Sequence, residues 1–216
     1  MDNISKVFSG AFSFVYINRI TLFKTLSLPF TILVILTIAE IVLDLNEIWA
    51  LVWGVVYCLI HTIFAVTTHR IILLGETSIP EWGLRRVSMR EIRFILYSFG
   101  IGLLVIPPAL LATIPVFGWV LAFVAISYVL GRLSLVFPAI ATDQKWSFQD
   151  SWVHTKDHQL MMAVTVLIFP IIIALPETLL TFAPYAKIPA AILSTFTTVF
   201  VVSALSVAFK MIRNGK

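Results

Sequence analysis

The sequence predicts an all-α fold: a polytopic membrane bundle of six transmembrane helices arranged as three hairpins, with amphipathic helices lying on the cytoplasmic face. Three observations predict it. The 216 residues are 60% hydrophobic and only 12% charged, against roughly 25% charged in a soluble domain, and the mean hydropathy is +1.01. Six apolar stretches approach the ~20 residues that a helix needs to cross ~30 Å of hydrocarbon. All but one of the 15 Lys and Arg residues fall on one side of those stretches. Such a chain cannot clothe a water-facing surface, and its length leaves no room for a separate soluble catalytic domain. It reads as a single transmembrane domain over residues 1–216.

The first element is the segment MDNISKVFSGAFSFVYINR. It lacks the continuous apolar core and small-residue cleavage site of a signal peptide and is expected to be retained. As a helix it places Phe8, Phe12, Val15 and Tyr16 on one side, the pattern of a helix lying in the membrane interface. The spans follow at about Leu26–Leu45, Ile48–Thr68, Ile92–Ile114, Phe117–Ile140, Leu160–Phe182 and Ile188–Met211. The links Asn46–Glu47, Pro115–Val116 and Ala183–Lys187 are short, whereas the other two run to about 20 residues, so the spans pair as hairpins. Both termini, the long links and Arg132 share the basic side, and only Lys187 lies opposite, beside the acids Asp44, Glu47 and Glu177. Lys and Arg mark the cytoplasmic side, which puts both termini there. The formal charge of +4 therefore points to anionic lipid rather than nucleic acid. The single cysteine, Cys58, excludes an internal disulfide.

A repeat underlies this order. Spans one, three and five begin near residues 26, 92 and 160, each after a polar-apolar segment, and TTHRIILLGETSIPEWGLRR is echoed by LGRLSLVFPAIATDQKWSFQDSW. The layout is three parallel repeats, about 6–70, 76–141 and 146–211. Helix starts of the capping-box form recur at Ser78–Glu81, Ser88–Glu91 and Ser147–Asp150.

The most polar stretch is WSFQDSWVHTKDH, Trp146 to His158. Helical spacing sets Phe148, Trp152, Thr155 and Gln159 on one face, with Asp150, His154, Asp157 and His158 towards the other. An interfacial helix with an aromatic side in the headgroups and a wet charged side accounts for this pattern. The competing reading steps Asp150, His154 and His158 by four towards one metal ion, as in a membrane enzyme acting on a lipid headgroup. No second cluster supplies further ligands, and no cofactor is expected. Residues this close on one helix cannot converge as a Ser-His-Asp triad.

Polar groups within spans are the default functional candidates, which singles out Glu40, His61 and Arg132. Arg132 and the basic residues Arg85, Arg86, Arg90, Arg93, Lys145 and Lys156 are expected to contact lipid headgroups, with Trp82, Trp146 and Trp152 as interfacial anchors. Prolines concentrate in the odd spans (Pro29, Pro107, Pro108, Pro170, Pro176), where they bend helices.

Three stretches carry a family resemblance: Arg132-Leu-Ser-Leu-Val-Phe-Pro138-Ala139 with the polar helix at Ser151-Trp152, HRIILLGE from His69 to Glu76, and Arg90-Glu-Ile-Arg-Phe-Ile95. On these, over residues 60–160, the chain resembles a group of uncharacterised bacterial inner-membrane proteins. It is also similar to the membrane domain found beside some glycerophosphodiester phosphodiesterases. The resemblance implies a bacterial inner-membrane setting and repeated hairpins. It implies no reaction, because the phosphodiesterase catalytic domain is absent and no catalytic residue carries over. The expectation is a non-enzymatic protein that organises anionic phospholipids or partner membrane proteins. The alternative is a permease or transport subunit with an inward-facing site near His61 and Arg132.

Overall fold

The computed structural model describes residues 2–43, 47–79, 88–180, 182–183 and 186–214, and these are helical almost throughout. Six helices are long and apolar enough to cross a membrane: Arg19–Leu43, Leu51–Leu74, Met89–Thr113, Gly118–Ala141, Lys156–Leu180 and Lys187–Asn214. The chain is an integral, multi-pass, all-α membrane protein. Trp82, Arg85, Arg86 and the Ser78–Glu81 cap lie wholly or partly outside the described residues, as does the start of the second repeat's polar segment.

The elements run α1 (Asp2–Ile17), α2 (Arg19–Leu43), α3 (Glu47–Leu74), α4 (Met89–Leu110), α5 (Gly118–Leu133), α6 (Val136–Ala141), α7 (Phe148–His154), α8 (Gln159–Ala163), α9 (Phe169–Leu180) and α10 (Lys187–Asn214). Two spans are broken, each for a reason visible in the sequence. Pro138 has no N–H to return to the Ser134 carbonyl; Phe137 donates to that carbonyl instead, at 3.2 Å, and α5 gives way to α6. Pro170 likewise cannot bond Val166. The backbone there relaxes into a π-helical turn, Val164–Ile168, closed by Phe169 N–H donating to the Val164 carbonyl. Such turns are rare and concentrate at functional sites.

Parallel packing of α3 on α10 forms the centre. Both run towards the end that carries the termini, and their side chains meet at a constant offset: His61 with Thr198, then His69 with Ser206 two turns on. Close approach elsewhere depends on small residues. A Cβ at Gly131 would sit 3.1 Å from the Ala163 backbone nitrogen, and one at Gly100 would sit 3.2 Å from the Phe148 ring.

Both segments expected to lie flat on the membrane use much of their aromatic faces on protein. In α1, Val7 and Ala11 are fully buried, and Phe8 stacks on Phe169 at 4.5 Å. Phe12 touches Phe169 and Phe200, while Tyr16 remains exposed. In α7, Phe148 packs on Tyr97 and Trp152 on Tyr128. The capping boxes at Ser88–Glu91 and Ser147–Asp150 form as the spacing predicts.

One cluster ties the end nearest the termini together. Helix α6 ends with Asp143 in the left-handed region (φ 63°). Asp143 N–H donates to Ile140 and Gln144 N–H to Ala139, the Schellman arrangement whose left-handed position is usually glycine. Here the carboxylate has a use that glycine could not supply. Arg70 at the end of α3 donates to it at 2.9 Å, and to the Ala141 carbonyl at 3.0 Å. Arg90 in the first turn of α4 grips it through two bonds at 2.8 and 3.0 Å. Burial acts to raise the Asp143 carboxyl, but donation and charge from Arg90 and Arg70 outweigh it and hold the group below its usual range.

A group whose folded value lies below its unfolded value stabilises fully above the latter, about 3.9 for Asp. That contribution is lost as pH falls through the folded value. Asp143→Asn should therefore cost about 1–3 kcal/mol at neutral pH, less than a fully buried pair because the carboxylate is half in solvent. Thermal unfolding in detergent, followed by circular dichroism from pH 7 to 3, should show the gap between variant and wild type narrowing below about pH 4.

Candidate functional site

The polar residues singled out by their place within spans do not form one site. Each sits in a different environment, and the centre of the bundle belongs to His61.

A cavity of about 410 Å³ lies between α3, α4, the α5–α6 break, the π-turn and α10. Its wall is mainly aliphatic and aromatic, and its polar groups are His61, Thr62, His69, Ser98, Ser134, Thr165 and Thr198, with the thiol of Cys58. The closed end faces the termini. There His69, Phe94 and Leu205 are buried, and behind them lies a packed layer that includes Val136, Ile140 and Ala141. Cys58 and Ser98, farther from that end, are exposed. Both sit well inside their spans, Leu51–Leu74 and Met89–Thr113. An opening at that depth faces hydrocarbon, so the cavity has a lateral window between α3 and α4.

The hydrogen bonds define what the cavity offers. Ser98 donates its hydroxyl proton to the Phe94 carbonyl at 2.8 Å, Thr165 to Met161 at 2.8 Å and Thr198 to Ser194 at 2.9 Å. Ser134 does the same to Leu130. Back-bonding of this kind leaves each oxygen as an acceptor. It also bears on the imidazole tautomers. Ser206 donates to Val202 at 2.9 Å, so in its 2.7 Å contact with His69 Nδ1 the ring nitrogen is the donor. His61 Nδ1 stands in the same relation to Thr198 at a longer 3.4 Å. A ring that donates through Nδ1 keeps Nε2 as an acceptor. The hydroxyl protons of Ser98, Ser134, Thr165 and Thr198 are thus committed to the backbone, so the lining presents mainly lone pairs, with the Thr62 hydroxyl and the Cys58 thiol as donors that have no partner among the described residues. An anion would find little to hold it; a hydroxyl or amine would find several acceptors.

Arg132 does not reach this cavity. Its guanidinium lies 4.4 Å above the Trp152 ring and 5.9 Å from Tyr128, and the residue is 3% exposed. Nε and Nη1 have no partner among the described residues. Its carbonyl, freed by the helix break, accepts from Ser151 at 2.8 Å and Thr155 at 3.2 Å on the α7 side. This explains why two hydroxyl residues interrupt an aromatic face.

Of the expected rim, Arg93, Lys145 and Lys156 are exposed, whereas Arg90 is occupied by Asp143. Trp146 is held between His154 at 4.3 Å and Phe209 at 5.2 Å. Trp152 is partly exposed beneath its arginine.

The metal alternative is not assembled. Helix α7 stops at His154 and a 3₁₀ turn, Lys156–His158, intervenes, so the four-residue step to His158 is lost. His154 Nδ1 bonds the Asp150 carbonyl at 2.8 Å, and the Asp150 carboxylate serves the Ser147 cap. That capping donation by Ser147 holds the Asp150 carboxyl below its ordinary value. Among the described residues no three His, Cys, Asp or Glu side chains gather as a metal site would require.

No family model matches the chain, and no curated protein or solved structure matches it.

The two histidine contacts should respond differently to mutation. Ser206→Ala leaves a fully buried His69 without a partner and should cost about 1–3 kcal/mol. Thr198→Val removes only a long contact to a half-buried ring and should cost under ~0.5 kcal/mol. Unfolding midpoints of the two purified variants check this contrast.

Proposed function

We propose that this protein is a non-enzymatic, lipid-handling component of a bacterial inner membrane. It takes up a neutral amphiphile with a hydrogen-bond donor from the lipid phase. The observation that supports this most is the intramembrane cavity, which opens sideways between α3 and α4 and is lined with acceptors. Ion-coupled transport would need charged groups at that depth, and the lining contains none. A hydroxyl-bearing lipid suits it better: the tail lies along the aliphatic wall and out of the window, and the hydroxyl meets His61 Nε2, Ser98 and Thr198. On the face that carries the termini, assigned to the cytoplasm by the basic residues, Arg93, Lys145 and Lys156 are free to engage anionic headgroups.

The test uses native mass spectrometry of the purified chain in nanodiscs doped with diacylglycerol or its acetylated derivative. The reading expects diacylglycerol to be retained about tenfold better than the acetylated form, since the latter leaves buried acceptors unpaired. Ala65→Phe, which fills the cavity, should remove that preference. Equal retention of both lipids would end the proposal.

Cys58, the single thiol, distinguishes this from a permease. It should react with a lipid-soluble maleimide and resist a charged, water-soluble thiol reagent. Rapid reaction with the charged reagent would mean an aqueous path and favour transport.

A further inference from the structure

A second cavity, separate from the central one, lies at the opposite end of the bundle from the termini. It measures about 620 Å³ and is lined by Thr37, Glu40, Tyr57 and Lys187 together with alanines such as Ala190 and Ala191. Glu40 sits three residues before the end of α2, and Lys187 is the first residue of α10. At 1.5 Å per residue, both stand near the level where lipid headgroups begin. Lys187 is also the one basic residue on that side of the chain.

The charges are arranged to leave capacity unused. Thr37 donates its proton to the Leu33 carbonyl at 3.0 Å, so its oxygen is an acceptor for Tyr57, whose hydroxyl lies 3.0 Å away. That phenol is also 3.3 Å from Glu40 Oε2 and has a single proton to share between them. Among the described residues the Glu40 carboxylate therefore receives at most one long hydrogen bond, out of the roughly four that a carboxylate can accept. Glu40 and Lys187 line the same space, yet among the described residues neither forms an ion pair. Two opposite charges that line one cavity without pairing among the described residues, one of them braced by a Tyr–Thr pair, complement a molecule that carries both signs at once.

We infer that this cavity binds a zwitterion, with its ammonium group on Glu40 and its anionic oxygen at Lys187. The shared chemistry is that of a phosphoethanolamine group, either as the headgroup of a membrane lipid or as a free solute. Tyr57 orients the carboxylate and leaves its outer lone pairs to the ammonium.

The experiment places the intact chain in nanodiscs of equal phosphatidylethanolamine and phosphatidylglycerol and counts retained lipids by native mass spectrometry. A parallel arm adds soluble phosphoethanolamine to protein in detergent and follows the thermal midpoint. Wild type should retain phosphatidylethanolamine preferentially, or be stabilised by the soluble compound; the first outcome assigns a headgroup and the second a free solute. Glu40→Gln and Lys187→Met should each reduce the effect about tenfold. Tyr57→Phe, which keeps every charge, should weaken it by less. Ala65→Phe should leave it unchanged, which separates this site from the central cavity. Unaltered binding in both charge variants would overturn the inference, as would equal retention of phosphatidylglycerol together with no stabilisation by soluble phosphoethanolamine. Should one charge variant fail to fold, the other and Tyr57→Phe still decide.

Discussion

The architecture depends on one carboxylate shared by two arginines. Asp143 holds Arg70 at the end of α3 and Arg90 at the start of α4, and its own position follows from the end of α6. Three helix ends are thereby fixed at one face of the membrane. Beyond that anchor, the outer parts of α4 and α5 are largely exposed. The α4–α5 hairpin is pinned at that end. The left-handed backbone at Asp143 is a small cost, about 1 kcal/mol, beside two nearly buried guanidinium groups that would lose their closest carboxylate.

Lipid imposes the second constraint. With no water at mid-depth, polar groups depend on partners within protein, and many hydroxyls within the described spans find one in the carbonyl one turn back, although Thr68 has none among the described residues. This local solution has a consequence for binding. A bundle rich in Ser and Thr becomes a bundle of acceptors, because the protons face the helix backbone. The acceptors that line the cavity owe as much to that arithmetic as to His61 and His69.

Much of this was legible in the chain. Spans were readable because helix length against membrane thickness is a one-dimensional quantity: the stretch expected at Ile92–Ile114 is observed as Met89–Thr113, and Phe117–Ile140 as Gly118–Ala141. The caps at Ser88 and Ser147 were readable because they involve residues three apart. The candidate site was legible only as a short roll of intramembrane polar residues. Glu40, His61 and Arg132 proved to occupy three separate places, since depth can be counted along a helix whereas facing cannot. His69, Ser206 and Lys187 drew no attention as site residues. His69 and Ser206 are partners 137 positions apart, which the matching offset of His61–Thr198 and His69–Ser206 reflects, whereas Lys187 stood out in the sequence only as the basic residue opposite all the others.

The sequence by itself determined the solvent, the number of crossings and the capped helix starts, because each depends on composition or on neighbours within one or two turns. Of the prolines expected to bend helices only Pro170 adjoins a break, while Pro29, Pro107, Pro108 and Pro176 lie within continuous helices. Tertiary structure alone decided which basic residues remain free for headgroups and which are turned inward. It also decided that the aromatic faces of α1 and α7 rest largely on protein, and that a cavity opens beside His61. Those outcomes depend on the rotation of each helix about its own axis. Packing between helices sets that rotation, and no local pattern encodes it.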